Sequence, residues 1–234
     1  MTISVAEHLT LAQHRARLSC LWAHKVHVYR AGRKLGLGRW RLAVHDLGKL
    51  RPSTWMAYAR YFELGNVEHC QLCDEPKRLR PNAIEGWEWP ACTNQDCAAF
   101  DQPMAAGNWH PPIDRKRAFD LAWKRHQQAR HHWQAWVVIH DNGNVLALPM
   151  DDLSCREMVA DWAGASAANP YGDLQRWWLH NRNLMLLHPD TRVKVAEHLR
   201  TLGVEPSPAT RDAWDSWIDA PMEPISLLPD ELSA

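Results

Sequence analysis

His45 and Asp46 stand side by side in the stretch WRLAVHDLGKL, residues 40–50, and Lys49 follows one helical turn later. Trp40, Val44, Leu47 and Leu50 recur there at helical spacing, which predicts one buried helix. Burying ionisable groups costs roughly several kcal/mol unless a metal or a charge partner compensates. An adjacent imidazole and carboxylate suit one cation, and a lysine one turn on suits an anion bound to that cation. The plainer alternative is a core histidine bonded to a backbone carbonyl beside an ordinary ion pair. Metal ligation is favoured because further His and Asp residues fall on apolar faces elsewhere in the chain.

Residues 5–34 read as one long helix with a stripe through Leu21, Val28 and Ala31. His24 falls on that stripe, whereas His27 lies on the wetter side with Arg30 and Lys34. Residues 115–134 read as another helix, with Phe119, Ala122, Trp123 and His126 on one face, followed by His131 and His132 beside Trp133. On a helix ending at Gly164 and capped by Asp151, Asp152 or Ser154, Glu157, Met158 and Asp161 share a face. We therefore expect His24, His45, Asp46 and Asp161 to hold one divalent transition metal. Imidazole and carboxylate suit Mn, Fe, Co, Ni or Zn. His126, His131 and His132 are ligands, phosphate contacts or packing groups, and the spacing alone does not choose among them. Glu157 reads as a helix-face charge or a support for a ligand. His180 and His188, near Trp177, Trp178 and Leu187, read as structural.

A second candidate metal centre is made of cysteines. Cys70-x2-Cys73 is followed after eighteen residues by Cys92-x4-Cys97. Two close pairs separated by a loop have the spacing of a zinc ribbon, and four thiolates leave no open position, so this zinc should be structural. His69 is an alternative ligand, since the second pair is wider than the commonest spacing. Cys20 and Cys155 should stand outside the site.

The remaining chain places these groups. Gly32, Gly36 and Gly38 loosen it before the HD stretch. Pro52 should stop that helix, and Ser53 should cap the next, Thr54 to Leu64. Asp141-Asn-Gly-Asn between apolar runs predicts a β-hairpin. Helices at about 173–188 and 190–202, the second closed by Gly203, precede a partly ordered tail with one turn around Trp214 and Trp217. Of 234 residues, 46% are hydrophobic and 23% charged, with fourteen Trp, which indicates a globular helical core. No apolar run is long enough to span a membrane and no signal-peptide pattern opens the chain, so cytoplasmic localisation with reduced cysteines is expected. Net charge is zero but uneven. Residues 1–60 hold eleven Lys/Arg against Glu7 and Asp46 (11 − 2 = +9), and residues 201–234 hold Arg211 against seven acids (1 − 7 = −6). The basic half, with Arg30, Arg33, Lys34, Arg39, Arg41 and Arg51, would meet a nucleic acid or another phosphorylated partner, or be covered by the acidic tail.

In chain order the set reads H…HD…H…H…D. That order resembles the HD superfamily of metal-dependent phosphohydrolases, whose members use a helical bundle to bring a first His, the HD pair and a distant Asp onto one metal. Members with extra histidines hold two. The phrases HKVHVYRAGRKLGLGRWRLAVHDLGKL, WMAYARYF, AFDLAWKRHQQARHHWQAW, LPM, REMVADW and LHPDTR also resemble an uncharacterised family of phage and bacterial proteins, known only as a domain of unknown function. That resemblance covers roughly residues 18–200. The family usually has Ser where Gly48 stands and Asn-Pro where Ala129-Arg130 stand. The HD resemblance implies a mainly α protein. An HD-like helical bundle would comprise residues 1–65 and 115–203, with a zinc-ribbon-like insertion at 66–114, one short hairpin and an acidic tail at 204–234. The implied activity is phosphohydrolysis of a nucleotide or other phosphoester in the host cytoplasm, with Lys49 neutralising phosphate and Asp46, His126, His131 and His132 at the reacting centre. The alternatives are a two-iron oxygenase on the same site, or a non-catalytic zinc-containing protein that binds nucleic acid or a host protein.

Overall fold

The computed structural model describes residues 8–64, 69–70, 72–73, 77–81, 88–92, 94–98, 109–110, 113–167, 172–206, 211–221 and 225–226. Gly65, which the sequence offers as the end of the helix expected over Thr54 to Leu64, lies outside them. The described chain is mainly helical, and no described helix is long and apolar enough to cross a membrane. Two compact units are formed, Met1–Leu18 with Gly48–Lys124, and Ser19–Leu47 with Arg125–Ala234. The first helix, α1 (Leu11–Lys34), contributes residues to both.

In the first unit, α3 (Pro52–Glu63) begins where a helix was expected to stop. Pro52 occupies its first turn, where no N–H is needed, and Arg51 rather than Ser53 is the cap residue. Its Tyr58, Tyr61 and Phe62 pack on Phe119 of α4 (Ile113–His126), the Tyr61 and Phe119 rings stacking at 4.0 Å. Arg17 lies over Phe62 at 4.8 Å. Among the described residues the unit also holds four short strands. β1 (His69–Cys70) pairs with β4 (Trp109–His110), and β2 (Lys77–Pro81) pairs with β3 (Glu88–Cys92), both antiparallel.

The second unit holds the larger core. Its centre is α5 (Asp152–Ala167), buried along most of its circumference through Cys155, Met158, Val159, Ala160 and Trp162. Asp151 proves to be its cap, its carboxylate accepting from the Ser154 backbone N–H and hydroxyl, both at 2.9 Å. The buried face of α1 presents Leu21, Val28 and Ala31, as its periodicity predicts, and Gly32, which was expected to loosen the chain, is buried in the helix with them. The hairpin forms at Asn142-Gly143 between β5 (Val137–Ile139) and β6 (Asn144–Ala147), with Gly143 at φ 79°, and β7 (Ile225–Ser226) adds a third strand against β6.

Three expectations are corrected in this unit. The helix that carries His126 ends at that residue instead of continuing to 134, and a turn leads to a 3-10 segment at Trp133–Trp136. The next helix, α6 (Leu174–Asn181), is shorter than 173–188. His188 then caps α7 (Pro189–Thr201), accepting from the Asp190 N–H at 3.2 Å. The tail holds a full helix, α8 (Arg211–Asp219), packed on α7. The Trp214 ring packs 4.2 Å from that of Trp178, tilted by 46°, and buried Arg192 donates to the carbonyls of Trp217 and Ala220, so α8 belongs to the core.

Trp214→Ala should therefore lower unfolding free energy by about 3–5 kcal/mol in denaturant titration. Trp40→Ala, which removes a side chain 80% exposed, should change it by less than about 0.5 kcal/mol.

Candidate metal centres

The predicted single buried helix over residues 40–50 does not form. α2 spans only Arg39–Val44, His45 leaves the helical conformation, and Leu47–Leu50 make a 3-10 turn. Trp40, Leu47 and Leu50 are all well exposed, so their helical spacing does not mark a core stripe. At the break Asp46 adopts φ 61°, the only described non-glycine residue with positive φ. Aspartate tolerates this left-handed region better than branched or bulky residues. The break turns Asp46 and His45 inward together, and both are nearly fully buried.

The consequence is a cluster drawn from four segments of the second unit. His24 of α1 approaches Asp161 Oδ1 of α5 at 3.0 Å and Asp46 Oδ2 at 3.3 Å. His45 Nε2 stands 3.2 Å from the same Asp161 oxygen and 3.6 Å from Asp46 Oδ2. The other oxygen of Asp46 faces elsewhere, with Oδ1 3.5 Å from His126 Nε2 and 3.7 Å from His131 Nε2. His126 and His132 bring their Nε2 atoms to 2.8 Å of each other. Two four-donor sets result, His24–His45–Asp46–Asp161 and Asp46–His126–His131–His132, each with all donors within 4.8 Å of one another. Donors held about 2.0–2.2 Å from one ion lie about 3.0–3.5 Å apart, so these separations fit metal ligation. His131 Nε2, buried, makes no hydrogen bond among the described residues, as suits a nitrogen aimed at a cation.

Glu157 supports rather than joins these sets. Its Oε1 lies 3.0 Å from His45 Nδ1 and 3.6 Å from His131 Nδ1, which leaves both Nε2 atoms for the cluster. Arg41 pairs with the other oxygen of Glu157. Arg41 was expected on a face for a polyanion and is instead committed to this pair. Burial pushes the His45 imidazole down, but its bonds to Asp161 and Glu157 and the Asp46 charge prevail and raise it to about 9. Burial pushes Asp161 up, yet its bonds from His24 and His45 hold it well below the usual carboxylate range. Glu157 is likewise held low by His45, His131 and Arg41 against the effect of burial.

The sequence did not mark Gly164 as part of the site. A Cβ there would lie 2.3 Å from Val28 Cγ2 and 3.1 Å from His24 Nδ1 and the His24 carbonyl. Only glycine lets α1 come close enough to α5 for His24 to meet Asp161. Its signal was its place three residues after Asp161. A Cβ at Gly48 would meet nothing within 4 Å, so the serine usual in the resembling family fits there. Lys49 lies in the Leu47–Leu50 turn and belongs to the first unit.

The cysteines converge as their spacing predicts. Cys73 and Cys92 sulfurs stand 3.4 Å apart, Cys70 and Cys97 sulfurs 3.9 Å, and all four lie within 4.8 Å of one another. Sulfurs held about 2.3 Å from one tetrahedral ion lie about 3.8 Å apart, so this cluster also fits a metal. Without one, burial pushes the Cys92 thiol up to about 12. The His69 side chain lies outside the described residues. Cys20 and Cys155 stand apart from the cluster.

Residues 13–201 match a family described as a family of unknown function, DUF5662. The chain belongs to that family. No curated protein and no solved structure matches it. Both halves of the His/Asp cluster, from His24 to Asp161, fall inside the matched span.

Two outcomes follow from this geometry. Gly164→Ala should cost about 1–3 kcal/mol by overpacking and weaken metal uptake by displacing His24, read by denaturation and metal titration. His45 must lose its proton to ligate, so metal affinity should rise roughly tenfold per pH unit up to about 9 and then level off, with protons released on uptake below that value. In the metal-free protein the sign reverses. Protonated His45 contributes stability that is complete below its ordinary 6.5 and lost as pH rises through about 9.

Proposed function

We propose that this protein is a metal-dependent phosphohydrolase of the HD type, acting on a phosphoester of a nucleotide or related molecule. The observation that carries this reading is the division of Asp46. One carboxylate oxygen faces His24, His45 and Asp161, and the other faces the second histidine set. A carboxylate so placed suits two cations at once. Together with the chain order H…HD…H…H…D, it supports the HD resemblance more than residue order does alone.

His24, His45, Asp161 and Asp46 Oδ2 would hold one divalent ion of the Mn, Fe, Co, Ni or Zn class. His126, His131, His132 and Asp46 Oδ1 would hold a second. Such ions, when bound, supply Lewis acidity toward a phosphoryl oxygen and toward water. The protein's own part is positional. Glu157 fixes the Nδ1 sides of His45 and His131, Arg41 balances Glu157, and the left-handed turn at Asp46 presents both of its oxygens. Net hydrolysis forms one P–O bond from water and breaks the ester P–O bond, the departing alcohol taking up a proton. The four cysteines would hold a structural zinc, which leaves no coordination position for chemistry.

Elemental analysis of purified protein, with a panel of phosphomonoesters, phosphodiesters and nucleotides, tests the reading. Wild-type protein should carry zinc at the cysteines and further metal at the His/Asp cluster. Asp46→Ala should lose the latter, keep the cysteine zinc, stay folded and lose at least about a hundredfold in hydrolysis. An Asp46→Ala protein that keeps its full metal content and activity would sink the proposal. Iron-dependent oxygen consumption in place of hydrolysis would favour the two-iron oxygenase.

A further inference from the structure

The outward side of α1 bears a second assembly, unconnected with metal ligation. Trp22, Lys25, Tyr29 and Arg30 line a cavity of about 390 Å³ whose other wall is Leu42 and Ala43 of α2. Trp22 is 66% exposed and Tyr29 39% exposed. They are seven residues apart, so they lie on one helix face about 10.5 Å apart along the axis. Arg30 is shared with a second cavity of about 190 Å³, where His27 and Lys34 join it above Ala163, Leu174 and Leu202. Among the described residues no acidic side chain lines either cavity. Among the described residues Arg30 and Lys34 have no ion-pair partner. Residues 19–47 hold six Lys/Arg against one acid, Asp46, which is buried in the cluster.

We propose that this aromatic and cationic strip is a platform for single-stranded nucleic acid, with unpaired bases stacking on Trp22 and Tyr29 and phosphates meeting Arg30, Lys34 and His27. Exposed aromatic faces interleaved with cations are what an unpaired strand requires, because every base offers a π-face and every linkage a charge. A paired duplex hides those faces, so a duplex would use the cations alone. An apolar peptide would leave the cations unmatched. The strip also adjoins the HD pair along the chain. Ala43 precedes His45 by two residues, and Lys25 Nζ donates to the carbonyls of Ala43 at 3.1 Å and His45 at 2.5 Å. Resting on the hydrolase reading, this names the substrate class as phosphodiesters of an unpaired strand. The binding itself does not depend on that reading.

The test uses the full chain, as wild type and as Asp46→Ala, with fluorescein-labelled oligothymidylate, the matching oligouridylate and a duplex of equal length, read by fluorescence anisotropy over a salt series. Both single strands should bind more tightly than the duplex, and binding should weaken with salt. Trp22→Ala with Tyr29→Ala should lower single-strand affinity about tenfold or more and leave weak duplex binding unchanged. Arg30→Glu should lower both. Trp22 is largely exposed, so its truncation leaves the core intact. The proposal is overturned if the aromatic variants bind oligothymidylate as wild type does, if neither strand binds, or if wild type is a dimer that the aromatic variants dissociate. Binding by wild type without cleavage under any added metal removes the hydrolase reading and keeps the platform. Cleavage that the aromatic variants leave unchanged removes the platform and keeps the hydrolase.

Discussion

Burying a carboxylate with five imidazoles close by is feasible only if its charge is shared, and Asp46 is where this protein meets that demand. Its carboxylate lies within 3.7 Å of four histidine Nε2 atoms, two on each oxygen. A residue continuing a regular helix would present its side chain to one side only. The left-handed turn after α2 therefore belongs to the site itself, and its backbone cost, on the order of 1 kcal/mol or more, is offset by the partners it makes reachable.

Several elements of the second unit hold that position. α5 is buried on nearly all sides by apolar residues, which holds Glu157 and Asp161 rigidly one turn apart. Gly164 sets the approach of α1, and hence of His24. The end of α4 at His126 and the turn that follows fold His131 and His132 back toward Asp46. That bend is closed by backbone bonds from Ala129 N–H to the His126 carbonyl and from His132 N–H to the Ala129 carbonyl. The charges are nested. Arg41 answers Glu157, Glu157 answers His45 and His131, and these answer Asp46 and Asp161. Removing one member leaves another buried charge without its counterpart, which is why such clusters act as units.

The cysteine cluster solves the same problem differently. Around the cysteines the described residues pair as two short antiparallel ladders, β1 with β4 and β2 with β3. Four thiols stand within 4.8 Å of one another, and the Asn94 N–H donates to Cys92 Sγ at 3.4 Å. A closed metal shell would supply the cross-link that such a segment lacks.

Local chemistry was legible in the sequence where local rules act. The inward stripe of α1 with His24 on it, the hairpin at Asn142-Gly143, the shared face of Glu157 and Asp161, and the converging cysteine pairs all follow from periodicity, turn chemistry or spacing. So did the inventory of buried imidazoles and carboxylates, because a His or Asp on an apolar face must find a partner wherever the chain folds. The same rules failed at residues 40–50. Helical spacing predicted a continuous buried helix, and the need to satisfy two buried polar side chains broke it. They failed again at Trp214 and Trp217, whose burial depends on Trp178 and Arg192, far away in sequence. Nothing local could show that Arg41 would serve Glu157, or that Gly164 would admit His24. The sequence by itself determined which groups needed partners. Tertiary structure decided which partners they found, because Asp46 could reach two sets of histidines only after four separate segments had packed around it.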